Sequence, residues 1–303
     1  MKRMLALLLS LLLLTLSLSG CGAEKKQDVN VMATFYPVYI LAENLLDGVE
    51  GVTLSSMTPP STGCLHDYQL LTSDMRSLSR AQALLINGAG MESFLPAVEK
   101  QFPGLMIVDC SQGVTLLAEE DDDELEEEHH DHGEYNAHIW LDPKNAAKMV
   151  ENMRQALTEL LPEAAEKINQ NAAAYTARLT ALDTELAAAI AALPNQKIVT
   201  FHEAFPYFAA AYGLEVVAVV ALEPDEPVSP RMLSQVAQKV REAGNPPLFA
   251  EPQYEGAALR AIAQETGAPV YELDPLVTGD GALTAYEDVM RKNLAVLEAA
   301  LGE

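Results

Sequence analysis

Cations are scarce in this chain: 19 Lys and Arg stand against 44 Asp and Glu, for a formal net charge of −25 over 303 residues. A surface so acidic repels phosphate backbones and anionic headgroups, so nucleic acid and charge-driven lipid binding are excluded as partners. The apolar run Met4–Leu14 is too short for an ordinary membrane-spanning helix. Catalytic signatures are missing too. There is no His-Glu-x-x-His helix and no nucleophile elbow, and His202-Glu203 has Pro206 where a second zinc-binding histidine would have to stand. Tryptophan occurs once, as Trp140, and cysteine three times, as Cys21, Cys64 and Cys110.

What the N-terminus does contain is an address. Lys2 and Arg3, the apolar run and then Leu18-Ser19-Gly20-Cys21 read as a secretory signal over residues 1–20. The last four residues resemble the bacterial lipobox, in which the cysteine is acylated and becomes the first mature residue. The chain is therefore expected outside the cytoplasmic membrane, held to the lipid bilayer through Cys21 and a polar tether over 21–28. Loss of Lys2 and Arg3 takes the charge to −27. Cys64 and Cys110 then form an even pair in an oxidising compartment, open to a disulfide, to two unpaired thiols or, at Cys64 beside His66, to a thiolate ligand.

The body of the chain reads as α/β. Apolar, β-branched runs alternate with helical patterns at Val29–Thr34, Val52–Met57, Ala83–Asn87, Leu105–Val108, Lys197–Thr200, Glu215–Val220, Pro247–Ala250 and Val270–Leu273. Four and four suggest two lobes with mainly parallel four-stranded sheets, over 29–161 and 194–303. Between them, over 162–193, Ile168, Ala172, Tyr175, Leu179, Leu182, Leu186 and Ile190 step by threes and fours along one apolar stripe. That stripe predicts a single long, rigid helix opened by Pro162.

Histidine is where the chemistry gathers. Residues 119–134, EEDDDELEEEHHDHGE, hold eleven acids together with His129, His130 and His132. Such a block is usually a solvated loop, although these histidines beside carboxylates suit weak, transient collection of zinc. The three other histidines all stand at strand ends or helix starts. His66 follows the second strand, His138 precedes a helix start at Asp142-Pro143, and His202 follows the fifth strand. Glu251 ends the seventh strand and Asp274 the eighth. Ligands of open parallel sheets bind beyond the carboxyl ends of strands. Three imidazoles and one carboxylate make a four-coordinate site suited to Zn2+ and acceptable to Mn2+.

The segments VMATFYPVYILAENL, CLHDYQLLTSDMRSLSRAQALLINGAGMESFL, HIWLDPKNAAKMVENM, VTFHEAFPYFAAAYGLEV, LFAEPQYEGAALRAIAQETGAPVYELDPL and YEDVMRKNLAVLEAAL together resemble the zinc/manganese-binding solute-binding lipoproteins of ABC importers, the ZnuA/TroA type. The resemblance runs through the whole mature chain in order. It implies two Rossmann-like lobes bridged by one long helix, a metal buried in the cleft, and delivery to an ABC permease by a protein expected to be a monomer. By matching position it implies His66, His138, His202 and Asp274 as metal ligands, with Glu251 as a reserve ligand or partner to one of them. A histidine rather than a carboxylate in third place favours zinc over manganese. Residue 65 is Leu where some zinc-binding relatives carry an acid, and the His-rich loop is short and mostly acidic.

Two other functions fit parts of the pattern. An extracytoplasmic zinc-dependent hydrolase would leave one position on the metal open to water, whereas four protein ligands argue against an enzyme. A surface adhesin with an incidental metal site would present an exposed apolar or aromatic patch.

Overall fold

A computed structural model describes residues 28–62, 65, 68–118, 134–220, 229–253 and 257–302. The signal segment, Cys21, Cys64, His66 and the histidines His129, His130 and His132 lie outside the described residues. Among the described residues no helix is long and apolar enough to cross a membrane.

All eight expected strands are present, within one or two residues of their sequence bounds. In the first lobe β1 (Val29–Ala33), β2 (Val52–Ser56), β3 (Ala83–Ile86) and β4 (Met106–Asp109) form a parallel sheet in the order β2-β1-β3-β4. In the second, β5 (Lys197–Thr200), β6 (Glu215–Val219), β7 (Leu248–Ala250) and β8 (Val270–Glu272) repeat the arrangement as β6-β5-β7-β8. The strand order reverses between β1 and β3 and again between β5 and β7. Crossovers leave opposite faces at such a point and open a crevice there.

Helices α1 (Tyr36–Leu46), α2 (Thr72–Leu78) and α3 (Leu95–Gln101) serve the first sheet. Next come α4 (Pro143–Leu160) and the long α5 (Ala165–Ala191). Asp142 caps α4 by accepting from the Lys144 N–H at 2.8 Å, and Pro143 takes the first helical position, where its missing N–H costs nothing. Residues Pro162–Ala164 form a single 3₁₀ turn rather than the first turn of the long helix, which is therefore 27 residues and about 40 Å long. Its entire predicted stripe is buried. The remaining helices are α6 (Pro206–Tyr212), α7 (Pro230–Glu242), α8 (Ala257–Thr266) and α9 (Ala285–Leu301).

One large apolar core runs from the first sheet through α4 and α5 to Phe205, Phe208, Leu273 and Tyr286 of the second lobe. A smaller core lies around β5, α7 and α8. Polar contacts reinforce the join. On α5, Asn171 donates to the carbonyls of Leu45 (3.0 Å) and Asp47 (2.8 Å) in the first lobe. Arg178 pairs with Glu287 of α9 at 2.8 Å while also holding Asn44 of α1. Lobes that share a core and a rod move little against each other.

At the crevice of the first sheet sits a buried acid, Glu92. It accepts from the Thr34 hydroxyl (2.8 Å) and from the backbone N–H groups of Asn87 (2.8 Å) and Gly88 (3.1 Å). Gly88 has φ +79 and lies against Asp109 and Ser111, so a side chain there would be strained and would overlap both. Burial, only partly offset by the three donors, pushes the Glu92 carboxyl up to about 7 from 4.5. The folded state thus holds this proton more tightly than the unfolded chain. Its contribution to stability is present below the unfolded value and is lost as pH rises toward the folded one. Glu92→Gln is expected to remove roughly 3 kcal/mol of this decline between about pH 4.5 and 7, read from denaturant melts at several pH values.

Candidate metal centre

The second lobe supplies its half of the site at its own crevice. His202 stands two residues beyond β5, and Glu251 follows β7 directly, so the two side chains face each other across the point where strand order reverses. Both are buried, and Glu251 Oε1 makes a short contact with His202 Nδ1. A carboxylate oxygen accepts, so Nδ1 carries the proton and Nε2 presents its lone pair.

The first lobe supplies His138 at the end of a loop pinned on both sides. Upstream, Asn136 N–H donates to the Leu117 carbonyl (2.9 Å) and Ala118 bridges Tyr135, so the residues on either side of the acidic segment are tied together. Asn87 Nδ2, beside the Glu92 cluster, donates to the Ala137 carbonyl at 2.9 Å. Downstream, the 3₁₀ turn Ile139–Leu141 leads into α4. Trp140 in that turn is fully buried, packs edge-on against Phe35, and lies 5.1 Å from the His138 ring.

Asn136 fixes the His138 tautomer. Its Nδ2 donates to the Glu203 carbonyl (2.8 Å), so its oxygen is the atom turned to His138. There it accepts from the backbone N–H at 3.0 Å and faces Nδ1 at 3.3 Å. The ring proton therefore sits on Nδ1, as in His202. The two Nε2 atoms are 3.2 Å apart, with ring centroids 5.0 Å apart. Two nitrogens at that separation are held together by something shared, either a ring proton or a cation that both lone pairs ligate. Zn–N bonds of 2.0–2.1 Å at the tetrahedral angle place two nitrogens about 3.3 Å apart, so the spacing fits one zinc ion.

Of the sequence candidates, the structure brings together His138, His202 and Glu251. Glu251 Oε2 is buried without a hydrogen-bond partner among the described residues, so one of its oxygens remains unused. Asp274 lies at the end of β8, where its Oδ1 accepts from Leu276 N–H (2.9 Å) and Gln253 Nε2 (3.2 Å). Among the described residues no three His, Cys, Asp or Glu side chains are grouped to hold one ion, and His66 lies outside them. Cys110 is buried and free, with Cys64 outside the described residues. Burial pushes the Cys110 thiol well above its usual range, which keeps it protonated.

Residues 31–300 match the family described as zinc-uptake complex component A, periplasmic. The chain belongs to the ZnuA family. Its relatives include the zinc-binding lipoprotein AdcA of Streptococcus pneumoniae, 30% identical over 311 residues that cover 98% of this chain and 61% of AdcA. The chain thus spans about three fifths of the AdcA relatives it matches. The high-affinity zinc uptake system protein ZnuA of Haemophilus ducreyi is 30% identical over 279 residues, covering 86% of this chain and 89% of that protein. A zinc-bound ZnuA deletion mutant superposes with a TM-score of 0.77 at 26% identity, over 91% of this chain and 99% of its own. A laminin-binding adhesin of Streptococcus agalactiae reaches a TM-score of 0.78 at 23% identity over 90% of this chain and 99% of its own, a likeness of fold alone.

Two family-scale expectations, the paired parallel sheets and the bridging helix, match what is observed. Sequence reasoning passed over Asn136, Asn87 and Glu92, whose hydrogen bonds hold the His138 loop and the segment it rests on. Nothing in their spacing marks them, since hydrogen-bonded asparagines in loops carry no periodic signal.

Proposed function

We propose that this chain is an extracytoplasmic solute-binding lipoprotein that captures Zn2+ between its lobes and passes it to the permease of an ABC importer. The observation that carries this reading is the pair of Nε2 atoms 3.2 Å apart, each ring having its Nδ1 against an acceptor. The zinc-binding relatives support it. In this reading His66, His138, His202 and Asp274 ligate the ion and Glu251 holds His202 in the right tautomer. Four protein ligands leave no place for a reactive water, so the role is carriage and not catalysis. Domain limits at 29–161, 162–193 and 194–303, a Cys21 lipid anchor, weak zinc collection by His129, His130 and His132, and a monomeric state complete the proposal. Mn2+ is the alternative cargo.

Because the lobes share a core, capture is expected to involve small loop movements around preset imidazoles. Release then falls to the permease, which must pull the lobes or loops apart. Glu251→Gln keeps an acceptor for His202 but removes the negative charge that makes the imidazole a stronger donor to zinc. It is expected to weaken zinc binding ten- to a hundredfold in a competition titration.

The cellular test is zinc uptake in zinc-starved cells that lack the chain. Uptake should fail, and should return with the wild type but not with His138→Ala/His202→Ala. Unchanged uptake in the deletion strain would point to the adhesin reading instead.

A further inference from the structure

Asp274 opens a turn held from several sides. Its Oδ1 is committed to Leu276 N–H and Gln253, and Oδ2 takes part in neither bond. Leu276 is fully buried and has φ +62, a left-handed conformation that disfavours leucine and persists only where surrounding contacts impose it. Those contacts come from separate elements. The Trp140 indole N–H donates to the Pro275 carbonyl at 2.9 Å, which ties the His138 loop to the Asp274 loop. Farther along, Gly281 N–H donates to the Tyr36 hydroxyl at 3.3 Å. On α9, buried Asn293 forms a two-point clamp. Its Oδ1 accepts from Asp274 N–H (2.9 Å) and its Nδ2 donates to the Asp274 carbonyl (2.8 Å).

An amide that grips both backbone polar groups of one residue fixes the two flanking peptide planes, and with them the Cα–Cβ direction. The Oδ1 bond to Leu276 N–H then fixes the carboxylate's rotation. We propose that Asn293 is a positioning residue for metal capture, setting Asp274 in its ligating direction before the ion arrives, with the Trp140 N–H as a second brace. This rests on the reading of Asp274 as a ligand. A side chain already aimed loses less freedom on binding, so the brace raises affinity without contacting zinc.

Zinc affinity of the full chain, read by competition with a chromophoric chelator, tests the inference in a double-mutant cycle. Asn293→Ala is expected to weaken binding ten- to a hundredfold, and Asp274→Ala at least as much. The double variant should bind no more weakly than Asp274→Ala alone. The visible spectrum of the Co2+-loaded Asn293→Ala protein should shift toward that of Asp274→Ala. Trp140→Phe keeps a ring beside His138 but loses the N–H. Its smaller loss should likewise vanish in the Asp274→Ala background, and it carries the test if Asn293→Ala does not fold. Full-strength binding by Asn293→Ala, or a full additional loss in the double variant, overturns the positioning role while leaving Asp274 a ligand. Wild-type affinity in Asp274→Ala would remove the ligand reading itself, and the brace with it.

Discussion

Replacing His202 by alanine is expected to weaken zinc binding by about a hundred- to a thousandfold, whereas replacing His129, His130 and His132 together should change it less than tenfold. Four-ligand protein zinc sites bind with roughly 10–16 kcal/mol, or about 2.5–4 kcal/mol for each ligand. His202 also neutralises a problem for the fold, because without it the Glu251 carboxylate stays buried with neither oxygen satisfied. Part of that cost falls on the zinc-free protein, so the variant should also melt earlier. A competition titration of both variants under identical buffer separates the two outcomes. Equal effects would move the main site into the acidic loop.

Trp140→Ala is expected to destabilise the protein by about 3–5 kcal/mol, read as the shift of the denaturant midpoint. The indole is fully buried, packs against Phe35 of the first lobe, and donates to Pro275 of the second. Its own carbonyl accepts from the Tyr286 hydroxyl at 2.7 Å. Truncation leaves a cavity at the junction and an unpaired Pro275 carbonyl. Trp140→Phe refills most of the space but also leaves the Pro275 carbonyl unpaired, so it should cost about 1–3 kcal/mol, less than the alanine variant. If the two variants are equally damaging, the indole N–H matters more than the packing.

Most of the architecture was legible in sequence because it rests on periodicity. The eight apolar runs, the stripe from Ile168 to Ile190 and the cap at Asp142-Pro143 each have a local signature, and each became the expected element. The histidines were legible by position: His138 and His202 come from different lobes, yet their Nε2 atoms meet. The supporting groups were not legible. Asn136, Asn87 and Asn293 act through side-chain hydrogen bonds to other segments of the chain, and no spacing rule encodes such bonds. Glu251 was marked by its strand-end position, but its attachment to His202 Nδ1 depends on the β5–β7 pairing and is visible only once the sheet is assembled.

The most direct measurement is anomalous scattering at the zinc edge from crystals of the zinc-loaded protein. The expected result is one strong peak about 2.0–2.1 Å from Nε2 of both His138 and His202. Zinc found only among the acidic residues of 119–134, with those two nitrogens binding nothing, would contradict it.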